Sequence, residues 1–186
     1  MRDLAEKWSV APDWRTATIE VPGLQISPIT GLHQRLVSGD LAAWAEASGF
    51  EGTAAGAFGL AEDTRYSVRL ARDRLLVVSS NPLPIPAGWH GEGFAVTTIS
   101  AGLQVFEVEG PALDAFIARG TTLDPRQPSA SAALSLAGVS AIVYRHDNRL
   151  RIHVERGLAA YLWTWMEQAA GHIAAGNQPA TIALRA

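Results

Sequence analysis

Five histidines, His33, His90, His146, His153 and His172, are the side chains of this chain whose ordinary pKa lies near neutral pH, and they could also contribute to a zinc site. No two of them stand four apart, as two ligands on one helical face would. With no cysteine in the sequence, a zinc site would have to be assembled from distant segments, so the spacing predicts no metal centre. Lys7 is the only lysine, and neither Gly49-Phe50-Glu51-Gly52 nor Ala55-Gly56-Ala57-Phe58-Gly59 can be completed into a phosphate loop, which needs a lysine before serine or threonine. No Gly-x-Gly-x-x-Gly joins a strand to a helix, which removes the usual dinucleotide cradle. His146 and Asp147 adjoin on a tight turn and are expected to face solvent. His153 alternates with Ile152 and Val154, so it faces the opposite side of its strand, toward solvent or a neighbouring element. Asp124 precedes Pro125, a pair that favours turn initiation and a structural hydrogen-bonding role for the carboxylate.

The elements that would position these residues are clearest from Leu103 onward. Leu103, Val105 and Val108 give strand character, with Val105-Phe106 an apolar doublet that interrupts the alternation. Gly110-Pro111 then opens a short helix carrying Leu113, Phe116 and Ile117, with Gly120 in place for a left-handed stop. Strands follow at Ala130 to Leu136, Ala141 to Tyr144 and Leu150 to Val154, separated by the turn pairs Ala137-Gly138 and Asp147-Asn148. Leu158, Leu162, Trp165, Met166, Ala169 and Ile173 mark the buried stripe of a closing helix from about Leu158 to His172. Trp163 lies about 120° round from the middle of that stripe, where it needs cover either from this chain or from another.

A cruder version of the same order runs from Leu32: strand to Val37, turn at Ser38-Gly39-Asp40, helix Leu41 to Ser48, then Tyr66 to Leu70 and Leu75 to Val78 as a hairpin. Val37-Ser38-Gly39-Asp40 aligns with Val108-Glu109-Gly110-Pro111, and Arg74-Leu75 with Arg149-Leu150, which suggests an internal duplication. The expected architecture is α+β: two pseudo-repeated βαβββ(α) halves with antiparallel sheets and packed helices. Residues 1–28 are expected as an N-terminal arm with one short strand, Thr16 to Val21. Residues 29–80 form the first half, 94–175 the second, and 176–186 a tail. Between the halves, residues 81–93 read as a connector, because Pro82, Pro84 and Pro86 block a helix and cannot serve a central strand.

With 48% hydrophobic residues in 186, the chain can bury a substantial core. A net charge of -3, without basic clusters, argues against a nucleic-acid partner. The charged start Met1-Arg2-Asp3 lacks the apolar core of a signal peptide, and no apolar run is long enough to span a bilayer, so a cytoplasmic location is expected. Trp8 and Trp14 lie on the arm. They tuck against the chain's own core or dock on a partner, and with Trp163 they are the candidate partner-interface residues.

The run Val108, Gly110-Pro111, Phe116, Thr121-Thr122-Leu123-Asp124, the three strands, and Tyr161-Leu162-Trp163-Thr164-Trp165 resembles the gamma subunit family of heterotetrameric sarcosine oxidase, within the aminomethyltransferase-like, folate-binding-fold superfamily. The resemblance covers about Thr97 to Ala170, and more weakly about Ile26 to Ser80. It implies an accessory subunit of a complex that demethylates sarcosine with oxygen and tetrahydrofolate. It also implies alpha, beta and delta partner subunits that hold FAD, FMN, NAD and zinc, and no cofactor, catalytic residue or metal in this chain. The Lys-Gly-Cys-Tyr-x-Gly-Gln-Glu signature of cysteine-bearing folate-fold proteins is absent, and the chain is about half the length of an aminomethyltransferase, so a complete tetrahydrofolate site is not expected. Two alternatives stand beside it: a free-standing folate or small-ligand binder, in which Arg145, Arg149 and Arg151 meet an anionic tail, and a homo-oligomeric scaffold.

Overall fold

Gly39 and Gly110 explain how the chain turns from sheet to helix. Both adopt positive φ, 104° and 124°, and a Cβ on either would strike a backbone carbonyl oxygen, of Gly93 and Gly23 respectively. Only glycine fits such an approach. The Asp40 N–H donates to the Gly93 carbonyl at 3.0 Å. At the second turn Pro111 has no N–H to give, and Ala112 donates to the Gly23 carbonyl instead, at 2.9 Å.

The computed structural model describes residues 11–176. Along it run β1 (Ile19–Val21), β2 (Leu24–Ile29), β3 (His33–Gly39), α1 (Leu41–Ser48), β4 (Leu60–Ala61), β5 (Arg65–Ala71) and β6 (Arg74–Ser79). There follow β7 (Gly88–His90), β8 (Phe94–Thr98), β9 (Leu103–Glu109), α2 (Leu113–Ile117), β10 (Ala133–Leu136), β11 (Val139–His146), β12 (Arg149–Glu155), a 3-10 turn (Arg156–Leu158) and α3 (Ala159–Gly176). The fold is α+β. A seven-stranded sheet has the order β1-β2-β9-β12-β11-β10 with β4 beside β11, and a five-stranded sheet has the order β5-β6-β3-β8-β7. Between the named strands every pairing is antiparallel except β4 with β11.

Three apolar clusters stack the layers. Phe106, Val108, Val143, Leu150 and Ile152 of the large sheet pack under Phe116 of α2 and Leu162, Met166 and Ile173 of α3. Tyr66, Val68, Leu76 and Val78 of the small sheet meet Tyr144 of the large one. Val37, Leu75, Val77, Phe94 and Val96 pack under Trp44 of α1. The order is helix, sheet, sheet, helix. Strands covered on both faces have no polar side to show, which explains the unbroken apolar run Leu75 to Val78 and the doublet Val105-Phe106.

Several expectations change. From Ile19 on, the expected arm supplies β1 and β2, and β2 pairs with β9 inside the large sheet. The connector contributes β7, paired with β8, while its Leu83 and Ile85 pack on the cluster under α1. Strand β8, assigned to the second half, hydrogen-bonds to β3 in the small sheet. The stretch 81–93 is thus no clean boundary, because hairpins cross between the sheets on both sides of it. Helix α1 has the expected limits, with the Asp40 carboxylate accepting from the Ala42 and Ala43 N–H groups at 3.0 Å and Gly49 closing it at φ 58°. Gly120 is not a left-handed stop; it is small because a Cβ there would press on Leu136 and Trp165. The residues assigned to the tail beyond Gly176, and Trp8, lie outside the described residues.

Candidate functional site

Trp163 is 4% exposed. Its indole meets Trp14 edge-on at 5.7 Å and Phe106 at 5.6 Å, Trp14 in turn meets Phe106 at 5.6 Å, and its N–H donates to Glu167 at 2.8 Å. The N-terminal segment of the same chain therefore covers this part of the closing helix, the first of the two alternatives that the sequence leaves open for Trp14 and Trp163. The burial of Trp163 has a simple origin. Ala159 and Ala170 are buried beside Leu162, Trp163, Met166, Ala169 and Ile173, so the buried arc lies about 50° round from the stripe drawn through the large apolar residues. Alanine carries little hydrophobic signal, and its burial cannot be told from its type. Leu158, counted in that stripe, is 37% exposed.

Between the two sheets lies a polar chain in an otherwise apolar layer. It begins at Glu107 on β9, which accepts from Arg149 Nη1 at 2.7 Å and from Arg151 Nε at 3.3 Å. Arg151 Nη1 donates to the Tyr66 hydroxyl on β5. The Tyr66 and Tyr144 hydroxyls are 2.8 Å apart, Tyr144 is 2.7 Å from His153 Nε2, and His153 Nδ1 is 2.7 Å from Gln34 Oε1 on β3. Tyr66, Tyr144, His153 and Gln34 are all buried. Burial, with help from the Arg151 charge, pulls the His153 imidazole down to about 3, so the ring is neutral and one nitrogen must accept while the other donates. Gln34 Oε1 can only accept, which places the proton on Nδ1 and makes Tyr144 the donor to Nε2. Tyr66 then donates to Tyr144 and accepts from Arg151, so donors run in one direction from Arg151 to Gln34.

Burial raises the hydroxyl of Tyr144 well above its ordinary value and also raises Tyr66, the latter against the pull of Arg151. Arg151 is raised although burial opposes it, because Tyr66 and Tyr144 favour its charge. The network therefore holds neutral phenols and a neutral imidazole at physiological pH. An open cleft of 470 Å³, lined by Leu32, Thr64, Tyr66, His146 and Arg151 among others, gives onto its Tyr66 end. His146 is not free on its turn: its ring lies 4.8 Å from Tyr66 and its Nε2 is 3.0 Å from the Asp63 carbonyl. Sequence reasoning placed His153 on the correct side of its strand but missed Gln34, Tyr66, Tyr144 and Glu107. The available signal was a polar residue within strands whose two faces are both covered, and that coverage is a property of the packed sheets.

Asp124 holds its own turn, accepting from the Arg126 backbone N–H at 3.0 Å and side-chain Nε at 2.9 Å and from Gln127 at 3.3 Å. Those hydrogen bonds lower its carboxyl below the usual range. Arg145 reaches Asp114 at 3.4 Å, and Arg149 bridges Glu107 and Glu109 at 2.7 Å each, so the three arginines singled out in the sequence neutralise carboxylates of their own chain. Among the described residues no group of three His, Asp or Glu is placed to hold a metal, and no helix is long and apolar enough to cross a membrane. Among the described residues, the large apolar side chains left in solvent are Trp89 at 74%, Tyr161 at 53%, Leu60 at 52%, Leu123 at 43% and Leu158. Trp89 sits on β7, the edge strand of the small sheet.

No protein-family model matches the sequence, and no curated protein matches it. The structure is similar to a chain of the heterotetrameric sarcosine oxidase from Corynebacterium sp. U-96 in complex with pyrrole 2-carboxylate, with a TM-score of 0.69 and 20% identity over 87% of this chain and 90% of that chain. The family that the sequence resembles and the solved assembly that the fold resembles thus coincide, and at this identity the likeness is one of fold.

Proposed function

We propose that the chain is the gamma-type accessory subunit of a sarcosine-oxidase-like complex, joined to alpha, beta and delta subunits in the cytoplasm. In this reading the partners carry FAD, FMN, NAD, tetrahydrofolate and zinc, and the chain contributes surface and no active site. The observation that carries it is the near full-length fold likeness to a chain of such an oxidase. The polar chain between the sheets fits the role, since its arginines, phenols and imidazole are spent on one another and hold the two sheets in register. The exposed Trp89 at the edge of the small sheet is a side chain such a subunit would bury against a partner. Co-expression with the partner subunits and pull-down tests this: Trp89→Ala should weaken capture at least about tenfold with the chain still folded, as expected for an interface anchor. Unchanged capture would remove Trp89 from the interface.

A finer reading of the fold accompanies this one. The two sheets are copies of one unit, each built from a hairpin, a strand leading into a helix, and a second hairpin, with the first hairpins exchanged. What supports it is the shared order, β1-β2-β9-β12-β11 against β7-β8-β3-β6-β5. The registers agree as well, Val37 facing Leu75 as Val108 faces Leu150, and so do the two glycine contacts, Gly39 with Gly93 and Gly110 with Gly23.

A further inference from the structure

The Gln34 end of the polar chain opens on a second cleft. Strand β2 leaves β9 after Ile29, which faces Val105. Beside the start of β9 lies a half-open cleft of 380 Å³, bordered by Trp14, Leu32, Gln34, Leu103, Gln104 and Arg156 among others, a volume in the range of small-ligand sites. Gln34 and Gln104 are each only 3% exposed, and each uses half of its carboxamide within the protein. Gln34 Oε1 meets His153, and Gln104 Nε2 donates to the Val105 carbonyl at 3.0 Å. Gln34 Nε2 and Gln104 Oε1 are left without a partner among the described residues. Neither atom is sealed off, since Arg35 Nη1 alone is in that state, and both residues line the cleft. A nearly buried donor and acceptor left open are costly unless something in the cleft completes them.

Orientation narrows the ligand. Side chains alternate along β9, so Gln104 shares the helix side of the large sheet with Phe106, while Glu107 and its partner Arg151 lie on the side facing the small sheet. Gln34, which meets His153, is on that second side. The open donor and the open acceptor therefore reach the cleft from opposite faces of the sheet. A trans amide carries its C=O and its N–H on opposite edges and matches both, its carbonyl accepting from Gln34 Nε2 and its N–H donating to Gln104 Oε1. Arg15 and Arg156 also border the cleft, against one carboxylate, Asp13, and neither forms an ion pair among the described residues. Arg156 lies beside the cleft wall, its Nη2 3.5 Å from the Leu103 carbonyl. This excess of guanidinium favours a carboxylate next to the amide. We propose that the cleft binds a small N-acylated amino acid, its amide between the two glutamines, its carboxylate toward Arg156 and its acyl group against Trp14. The site does not depend on the subunit reading.

The test is titration of the full-length chain with N-acetylglycine, followed by calorimetry and through the side-chain carboxamide resonances of Gln34 and Gln104. Two controls separate the groups of the ligand: levulinate, in which a methylene replaces the amide N–H, and N-acetylglycinamide, which lacks the charge. Saturable binding of N-acetylglycine that shifts both carboxamides is expected, with an apparent Kd about tenfold higher for levulinate, the loss of one hydrogen bond. Gln104→Met should raise the Kd for N-acetylglycine by about the same factor and leave that for levulinate unchanged. Arg156→Gln, at an exposed position in a chain that folds normally, should raise it severalfold and leave N-acetylglycinamide unaffected. Equal affinity for N-acetylglycine and levulinate, indifference to both substitutions, or no saturation in the native chain would each overturn the proposal.

Discussion

His153 holds Gln34 and Tyr144 at once, and burial keeps it a neutral imidazole. Its folded value, about 3, lies below the ordinary 6.5, so the unfolded chain binds the proton more readily than the folded one. Stability is therefore complete above pH 6.5 and falls as the pH drops toward 3, at a limiting slope of about 1.4 kcal/mol per unit and to a total of roughly 5 kcal/mol. Denaturant unfolding measured between pH 4 and 7 should show this slope, and His153→Leu should flatten it. The same variant leaves the Tyr144 O–H without an acceptor and Gln34 Oε1 without its donor, and a loss of about 2–4 kcal/mol at pH 7 is expected. A slope that survives the substitution would place the titrating group elsewhere. Tyr66→Phe, which removes the donor to Tyr144 and the acceptor for Arg151, should cost about 1–3 kcal/mol in the same measurement.

At the scale of elements, the strand-to-helix turns are the most constrained feature. Gly39→Ala and Gly110→Ala should each destabilise by on the order of 3 kcal/mol, since the new Cβ adds a clash to a strained φ; a chemical denaturation curve reads it directly. Asp40→Ala, which removes only a cap, should cost about 1 kcal/mol. The elements themselves were legible where turn chemistry is strong. Asp147 at φ 53° and Ala137-Gly138 at 52° and 82° turn the chain where the sequence places its hairpins, and α1 ends where Gly49 does. Pairing was less legible. Residues 1–28 read as an arm with Thr16 to Val21 as its one short strand, in a stretch holding Pro12, Pro22 and Pro28, yet β2 accommodates Pro28 opposite Phe106. Which face of α3 is buried was obscured by its alanines. Trp163→Ala should therefore lower the stability of the isolated chain by about 3–5 kcal/mol, as truncation of a buried core aromatic does.

For the molecule as a whole, β2 lies in the large sheet and β8 in the small one, on either side of the strands they separate in sequence. Neither sheet is complete without a strand from across the chain, so the expected unfolding is one cooperative transition, and a fragment ending at Ser80 should not fold. Coincident transitions by tryptophan fluorescence and far-ultraviolet circular dichroism would bear this out, and two separated transitions would oppose it. The polar chain and three apolar clusters tie the two sheets together, and among the described residues Trp89 is left exposed, which suits a part held inside a larger assembly. The most direct measurement is purification of the chain from its native source under mild conditions, with identification of the chains in the peak and assay of sarcosine-dependent peroxide formation. The account predicts a stoichiometric flavin-bearing complex that contains this chain and oxidises sarcosine. Recovery of the chain alone or only with copies of itself, with no flavin and no activity in its fractions, would contradict it.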